Sequence, residues 1–210
     1  MTDVLIGTTN PSKILRFSGL LRDTDARILT PSDLNITAVP EENGTTPAEN
    51  AAVKAAFYSR YCDRVLCNDS GLYISDLPLS DPRQPGMHVR SPGGERLDDD
   101  GMIAYYAALA QSLGGRMTAC YLDGVAVCCQ GVISTYMDEE EARNSAFYML
   151  CAPHPIRHPG WPLDSLSISP RTGRYFVEET REDAPQEDNV IFDAYWQKLR
   201  AFLLSALKLG

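Results

Sequence analysis

Apolar residues fall in short runs separated by polar segments dense in Pro, Gly, Asn and Asp, the pattern of strands alternating with helices. Val4-Leu5-Ile6-Gly7 reads as a buried first strand that stops at the polar segment Thr8-Thr9-Asn10-Pro11-Ser12-Lys13. Asn10 suits an N-cap and Pro11 the first helical position, where its missing N–H costs nothing. Ile14, Phe17, Leu20 and Leu21 then recur at helical spacing. A second helix is announced by Thr46, Pro47 and Glu49, the N-cap, first position and reciprocal acid of a capping box, and is continued by Ala51, Ala52, Val53, Ala55, Ala56 and Phe57. Val65-Leu66-Cys67 is a second buried strand ending at Asn68-Asp69-Ser70-Gly71, with Leu72-Tyr73-Ile74 running on from it.

From Leu77 to Glu95 the chain is rich in Pro and Gly and reads as a long surface loop, a type of segment that is usually functional or mobile. Asp98 to Asp100 open a third helix through Met102, Ile103, Tyr106, Leu109 and Ala110, closed by Gly114-Gly115. Residues 117 to 137 read as strands, with Leu122-Asp123-Gly124-Val125 giving the Asp-Gly signal of a tight hairpin. Ala152 to Pro162 is irregular because of its prolines. A strand near Leu166 to Ile168, a Thr172-Gly173 turn, an acidic stretch and a helix from about Asn189 to Leu207 complete the chain. This order predicts an α/β protein with an elongated, partly antiparallel sheet.

A chain of 210 residues with 44% hydrophobic and 22% charged side chains suits one globular domain, or one domain with two lobes. The net charge of −9 argues against general binding to a nucleic-acid backbone, which needs clustered Lys and Arg to neutralise phosphates. A phosphorylated small molecule stays compatible, provided a few cations, backbone amides and a metal ion converge locally. No apolar run reaches membrane-spanning length, and the N-terminus lacks the pattern of a secretion signal, so no membrane partner and a cytoplasmic location are expected. The six cysteines show no metal-like spacing and read as reduced core thiols.

Four places can carry chemistry. The Thr8 to Lys13 loop joins a buried strand to a helix N-terminus and offers N–H groups with Thr8, Thr9, Asn10 and Lys13 as further donors to an anion; it reads equally as a plain helix cap. Asp69 stands at the end of a buried strand beside a glycine, where α/β proteins keep reactive groups, and can bind a divalent ion, orient water or simply make a turn. Glu41 and Glu42 supply hard oxygens that suit Mg²⁺, or are solvated loop acids. Lys54 lies within an alanine-rich helix, where a lysine commonly snorkels to solvent.

In order and spacing these pieces resemble the inosine triphosphate pyrophosphatase family. Thr8-x-Asn10-x-x-Lys13 is similar to its Thr-Gly-Asn-x-x-Lys opening. Glu42 followed by Glu49-Asn50-Ala51-x-x-Lys54-Ala55 is similar to its Glu…Glu-Asn-Ala-x-x-Lys-Ala, and Asp69-Ser70-Gly71-Leu72 to its Asp-Asp-Ser-Gly-Leu. Pro85-Gly86, Arg90 and Gly94-Glu95 resemble the family's Pro-Gly…Arg…Gly-Glu loop. The resemblance covers residues 1 to 115 well and the remainder loosely. It implies a two-lobed α/β fold with a long central mixed sheet flanked by helices, an active site in the cleft between lobes, and a homodimer. The implied reaction is Mg²⁺-dependent cleavage of a nucleoside triphosphate to monophosphate and pyrophosphate. On this reading Lys13 and Lys54 neutralise the triphosphate, and Ser70 with Thr8, Thr9 and Asn10 hydrogen-bonds it. Arg90 also contacts substrate, Glu42 and Asp69 hold Mg²⁺, and Asp69 positions or deprotonates the attacking water.

The departures from the family pattern are specific. Asn68 stands where the family has an acid, and Thr9 replaces a glycine of the phosphate loop. The aromatic-Asp element is matched only by Gly160-Trp161-Pro162-Leu163-Asp164, in which Trp161 either stacks on a base or fills a core, and Asp164 reads the base edge. The Ser-His-Arg that binds the purine 6-oxo group is absent, the corresponding region reading Glu182-Asp183-Ala184-Pro185-Gln186-Glu187-Asp188-Asn189. The base is therefore open. Alternatives to a pyrophosphatase of this type are a nucleotide-binding homologue without turnover and a relative acting on another modified nucleotide.

Overall fold

The computed structural model describes residues 1–158, 160–179 and 186–209. The strand β1 (Thr2–Ile6) leads into helix α1 (Pro11–Leu20) and the short strand β2 (Ala26–Leu29). Helix α2 (Pro47–Tyr58), strand β3 (Arg64–Ile74) and helix α3 (Asp99–Ser112) follow, then strands β4 (Arg116–Cys129) and β5 (Val132–Met137). Helix α4 (Glu139–Asn144), strands β6 (Phe147–Leu150) and β7 (Ser167–Ile168), and helix α5 (Gln186–Leu207) complete the order. All strands join one mixed sheet, in the order β2-β1-β3-β4-β6-β7 with β5 also on β4. β1 runs parallel to both β2 and β3, whereas β4 is antiparallel to β5 and β6. The α/β class and the long mixed sheet expected from the sequence are therefore present.

The chain forms two compact units. The first comprises Met1–Ser70, Asp123–Asp138 and Gln186–Gly210; the second comprises Gly71–Leu122 and Glu139–Pro185. In the first unit, strand pleating sorts residues to two faces. Val4, Ile6, Leu66, Val125 and Val127 pack with Phe17 of α1, with Leu21 just after it, and with Leu199, Leu203 and Leu207 of α5. Leu5, Val65, Cys67, Ala126 and Cys128 pack on the other face with Ala51, Ala55 and Tyr58 of α2. In the second unit, Leu72, Ile74, Met117, Phe147 and Met149 form a core with Met102, Tyr106 and Leu109 of α3. Among the described residues no helix is long and apolar enough to cross a membrane.

The cysteines carry free thiols, with Cys67, Cys120, Cys128 and Cys129 buried, as expected of core residues. Burial pushes the Cys67 thiol up to about 12, which makes it a poor nucleophile.

The caps form as their residues dictate. Asn10 Oδ1 accepts from the Lys13 N–H, and Thr46 Oγ1 accepts from the Glu49 N–H. Glu49 answers one residue earlier than a capping box requires: its carboxylate accepts from the N–H and hydroxyl of Thr45, at 2.6 and 2.7 Å, and is held below the usual carboxylate range by those bonds. The segment 77–95 is irregular as expected, yet it is tied to β3. Gln84 bonds the Ile74 N–H and C=O, and the Leu72 N–H donates to Gly86 C=O.

The expected hairpin at Asp123-Gly124 is absent. β4 runs straight through these residues, and the chain turns at Gln130 and Gly131, whose φ values of 51° and 82° are those of a two-residue hairpin turn. Gly124 has another reason to lack a side chain. A Cβ there would run into the Ala48 nitrogen and Pro47 carbonyl carbon, because the N-terminus of α2 lies directly on β4. Gly124→Ala is accordingly expected to lose about 2 kcal/mol of stability through forced displacement of α2, measured by urea unfolding.

Candidate functional site

β1 is flanked by β2 on one side and β3 on the other, and the chain crosses from one to the other, so its carboxyl end is the switch point of the parallel part of the sheet. Pairing of β1 with β3 stops at Ile6–Leu66, followed by one bond from the Gly7 N–H to Leu66 C=O at 2.8 Å. Asn68, Asp69 and Ser70 lie beyond that end. The turn from β1 into α1 occupies the same place. Gly7 permits its close passage, since a Cβ there would meet Cys67 Sγ and Tyr58 Cδ2 at 2.5 Å. Thr9 and Asn10 are exposed, and Thr8 is half-buried, its hydroxyl oxygen accepting from the Asn10 N–H.

The same pleating that sorts the core sorts the polar residues. Asp69 continues the row of Val65 and Cys67 and emerges on the α2 face. There Lys54 Nζ lies 3.1 Å from Asp69 Oδ1 and 3.1 Å from Glu42 Oε2. Lys54 and Asp69 are each only 13% exposed, so this ion pair is largely shielded from solvent. Asn50, buried on α2, donates from Nδ2 to Asp69 Oδ2 at 3.0 Å and accepts at Oδ1 from the Gly44 N–H at 2.7 Å. One amide thus fixes both the acid on β3 and the loop that carries Glu42.

Asn68 and Ser70 continue the row of Leu66 and emerge on the α1 face, where Asp123 of β4 joins them. Ser70 Oγ–H donates to Asp123 Oδ1 at 2.7 Å, Asn68 Nδ2 donates to the same oxygen at 3.3 Å, and Arg16 Nη1 donates to Oδ2 at 2.9 Å. Lys13 lies one helical turn before Arg16. Among the described residues no carboxylate is within ion-pair distance of its ammonium, and its pKa is lowered, first by burial and then by Lys54, against the pull of Asp69 and Asp123. An under-neutralised cation between two acid clusters, beside a helix N-terminus, is an arrangement that gains from a bound polyanion.

The structure therefore brings together Thr8, Thr9, Asn10, Lys13, Glu42, Lys54, Asp69 and Ser70 from the sequence reading. Arg90, Trp161 and Asp164 belong to the second unit. Arg90 pairs with Asp99 at 2.9 Å and donates to Gly160 C=O, while Trp161 is 52% exposed. Asp164, its pKa raised by burial, lies 3.4 Å from His158. The region of the missing Ser-His-Arg falls largely outside the described residues. Sequence reading missed Asp123, taken for a turn residue, and Arg16, and it quoted Asn50 in a motif without giving it a role; the partners of all three lie far along the chain.

Among the described residues no three His, Cys, Asp or Glu side chains gather closely enough to enclose a metal ion. Asn50→Ala is expected to cost about 1–2 kcal/mol in thermal or urea unfolding, since it leaves the Gly44 N–H and one Asp69 oxygen without their shared partner.

The sequence matches the Ham1 family over residues 4–147. A dITP/XTP pyrophosphatase of Geobacillus kaustophilus is 30% identical over 209 residues, covering 91% of this chain and 88% of that protein. A dITP/XTP pyrophosphatase of Leptospira interrogans is 37% identical over 98 residues, 46% of this chain, and the chain spans about half (47%) of that relative's length. A HAM1 protein from Coxiella burnetii shares the fold with a TM-score of 0.72 at 22% identity, over 98% of this chain and 100% of that one.

Proposed function

We propose that this chain, which belongs to the Ham1 family, is a nucleoside-triphosphate pyrophosphatase acting on a dITP- or XTP-like substrate. The observation that carries this reading is the convergence of Lys13, Lys54, Glu42 and Asp69 on the carboxyl end of β1, with Lys13 short of negative charge. Relatives matched along nearly the whole chain bear the name dITP/XTP pyrophosphatase.

The triphosphate would lie against the Thr8 to Asn10 loop, with Lys13 and Lys54 on its phosphoryl oxygens. Asp69 would orient a water and take its proton. The water oxygen bonds to the α-phosphorus, and the bond from that phosphorus to the α–β bridging oxygen breaks, its electron pair leaving with pyrophosphate. Two cations and a helix N-terminus aimed at phosphate suit a reaction that needs placement and charge stabilisation more than covalent help.

The donor set fits a hard divalent cation such as Mg²⁺. Glu42 and Asp69 present carboxylate oxygens on either side of one ammonium, and Mg²⁺ commonly takes only one or two protein carboxylates, completing its shell with substrate phosphates and water. Bound there, the ion would supply charge neutralisation on the phosphates. Lys54, on its flexible stem, would then exchange carboxylates for phosphoryl oxygens. A homodimer remains the family expectation, tested by light scattering.

Asn68 favours a second reading, a nucleotide-binding homologue without turnover, because an amide contributes no charge next to Asp69. Incubation with dITP, XTP and the ordinary triphosphates plus Mg²⁺ separates the two. Pyrophosphate and monophosphate in equal amounts support the enzyme; binding without products supports the second reading. Asp69→Asn is expected to lower turnover at least ~100-fold in a protein that still folds, and an Asp69→Asn variant as active as the parent removes Asp69 from the chemistry.

A further inference from the structure

The Asp123 carboxylate collects donors from two elements: Ser70 and Asn68 of β3 and Arg16 of α1. Asn68 shows what this requires. Its Nδ2 faces two groups that can only accept, Asp123 Oδ1 at 3.3 Å and the Asp69 carbonyl at 3.2 Å, so the amide has one workable orientation. That orientation leaves Oδ1 buried without a partner, in a residue only 4% exposed. A carboxylate at position 68 would instead face Asp123 at that same spacing with like charge. Positions 68 and 123 therefore hold one negative charge between them, and in this chain it sits on β4.

We infer that Asp123 is a positioning residue of the phosphate site, carrying the negative charge that position 68 lacks and using it to hold Ser70. The hydroxyl proton of Ser70 is committed to Asp123, so Ser70 turns its lone pairs toward any ligand. The charge on Asp123 is also felt by Lys13 and Arg16 of α1 and by Tyr195 of α5. Asn68 costs a buried, unpaired oxygen, and what it gives in return is an amide donor to Asp123 where an acid would repel it.

This inference rests on the proposed pyrophosphatase reading, and its test is a relocation of the charge. D123N, N68D and the double variant N68D/D123N are compared with the parent for pyrophosphate release from dITP with Mg²⁺, as kcat and KM, and for melting temperature. D123N is expected to lose at least about tenfold in kcat/KM, and N68D/D123N to regain most of that loss. N68D alone is expected to melt about 3 °C or more below the parent, with the double variant recovering. Parental activity in D123N overturns the inference. So does a folded double variant no more active than D123N. If the parent releases no pyrophosphate from dITP or XTP, the pyrophosphatase reading fails by itself. The melting series then decides on the shared charge, and an N68D variant as stable as the parent overturns it.

Discussion

The pairing of Lys54 with both Glu42 and Asp69 is the constraint around which the candidate site is organised. Asp69 follows Val65 to Asn68, all of them buried, and a carboxylate at that depth needs a partner. The ammonium that pairs it comes from α2, so α2 must lie close against the sheet. Gly124 makes that approach possible, and the Thr46-Pro47 start of the helix fixes where it begins. The Glu42 loop is then held twice, through Lys54 and through Asn50 to Gly44. Packing, capping and charge pairing are thus one structural problem, solved at one edge of the helix.

The period of a strand explains why this chemistry has two sides. Asp69 points to the α2 face because Val65 and Cys67 do, and Asn68 and Ser70 point to the α1 face because Leu66 does. Each face has an acid balanced by a cation, Asp69 by Lys54 and Asp123 by Arg16. Lys13, past the end of β1, feels the acids of both faces without pairing with either. That position is possible only because β1 stops at Ile6 while β3 continues to Ile74.

What was legible in the sequence was what is locally encoded. The starts of α1, α2 and α3 could be read because a cap and the N–H that donates to it lie within one helical turn. The buried strands could be read from β-branched apolar runs. Asp123 could not: Asp followed by Gly carries the same local signature whether the chain turns there or a helix packs against the glycine. Asn50 entered only as part of a motif resemblance and Arg16 not at all, since the partners that define them lie 19 and 107 positions away. The short strands β2 and β6, at four residues each, lack the length over which alternation becomes a signal.

The overall acidity of the chain and the cationic character of its candidate site are compatible because the two act over different distances. A net charge of −9 spread over the surface is screened within about 8 Å at physiological ionic strength, so it neither draws in nor strongly repels a small anion at longer range. Within the site, Lys54 is mostly shielded from solvent and Lys13 is half-buried, and screening there is weaker. Lys54 is nevertheless offset by Glu42 and Asp69, which leaves Lys13 as the under-neutralised cation facing a triphosphate that carries several negative charges. In the proposed function a divalent cation arriving with the nucleotide would supply the positive charge that is lacking. On that reading Glu42 and Asp69 would hold the ion instead of Lys54, whose ammonium would be left to the anion. The acid-cation-acid arrangement on the α2 face is therefore compatible with the metal and polyphosphate of the proposed function.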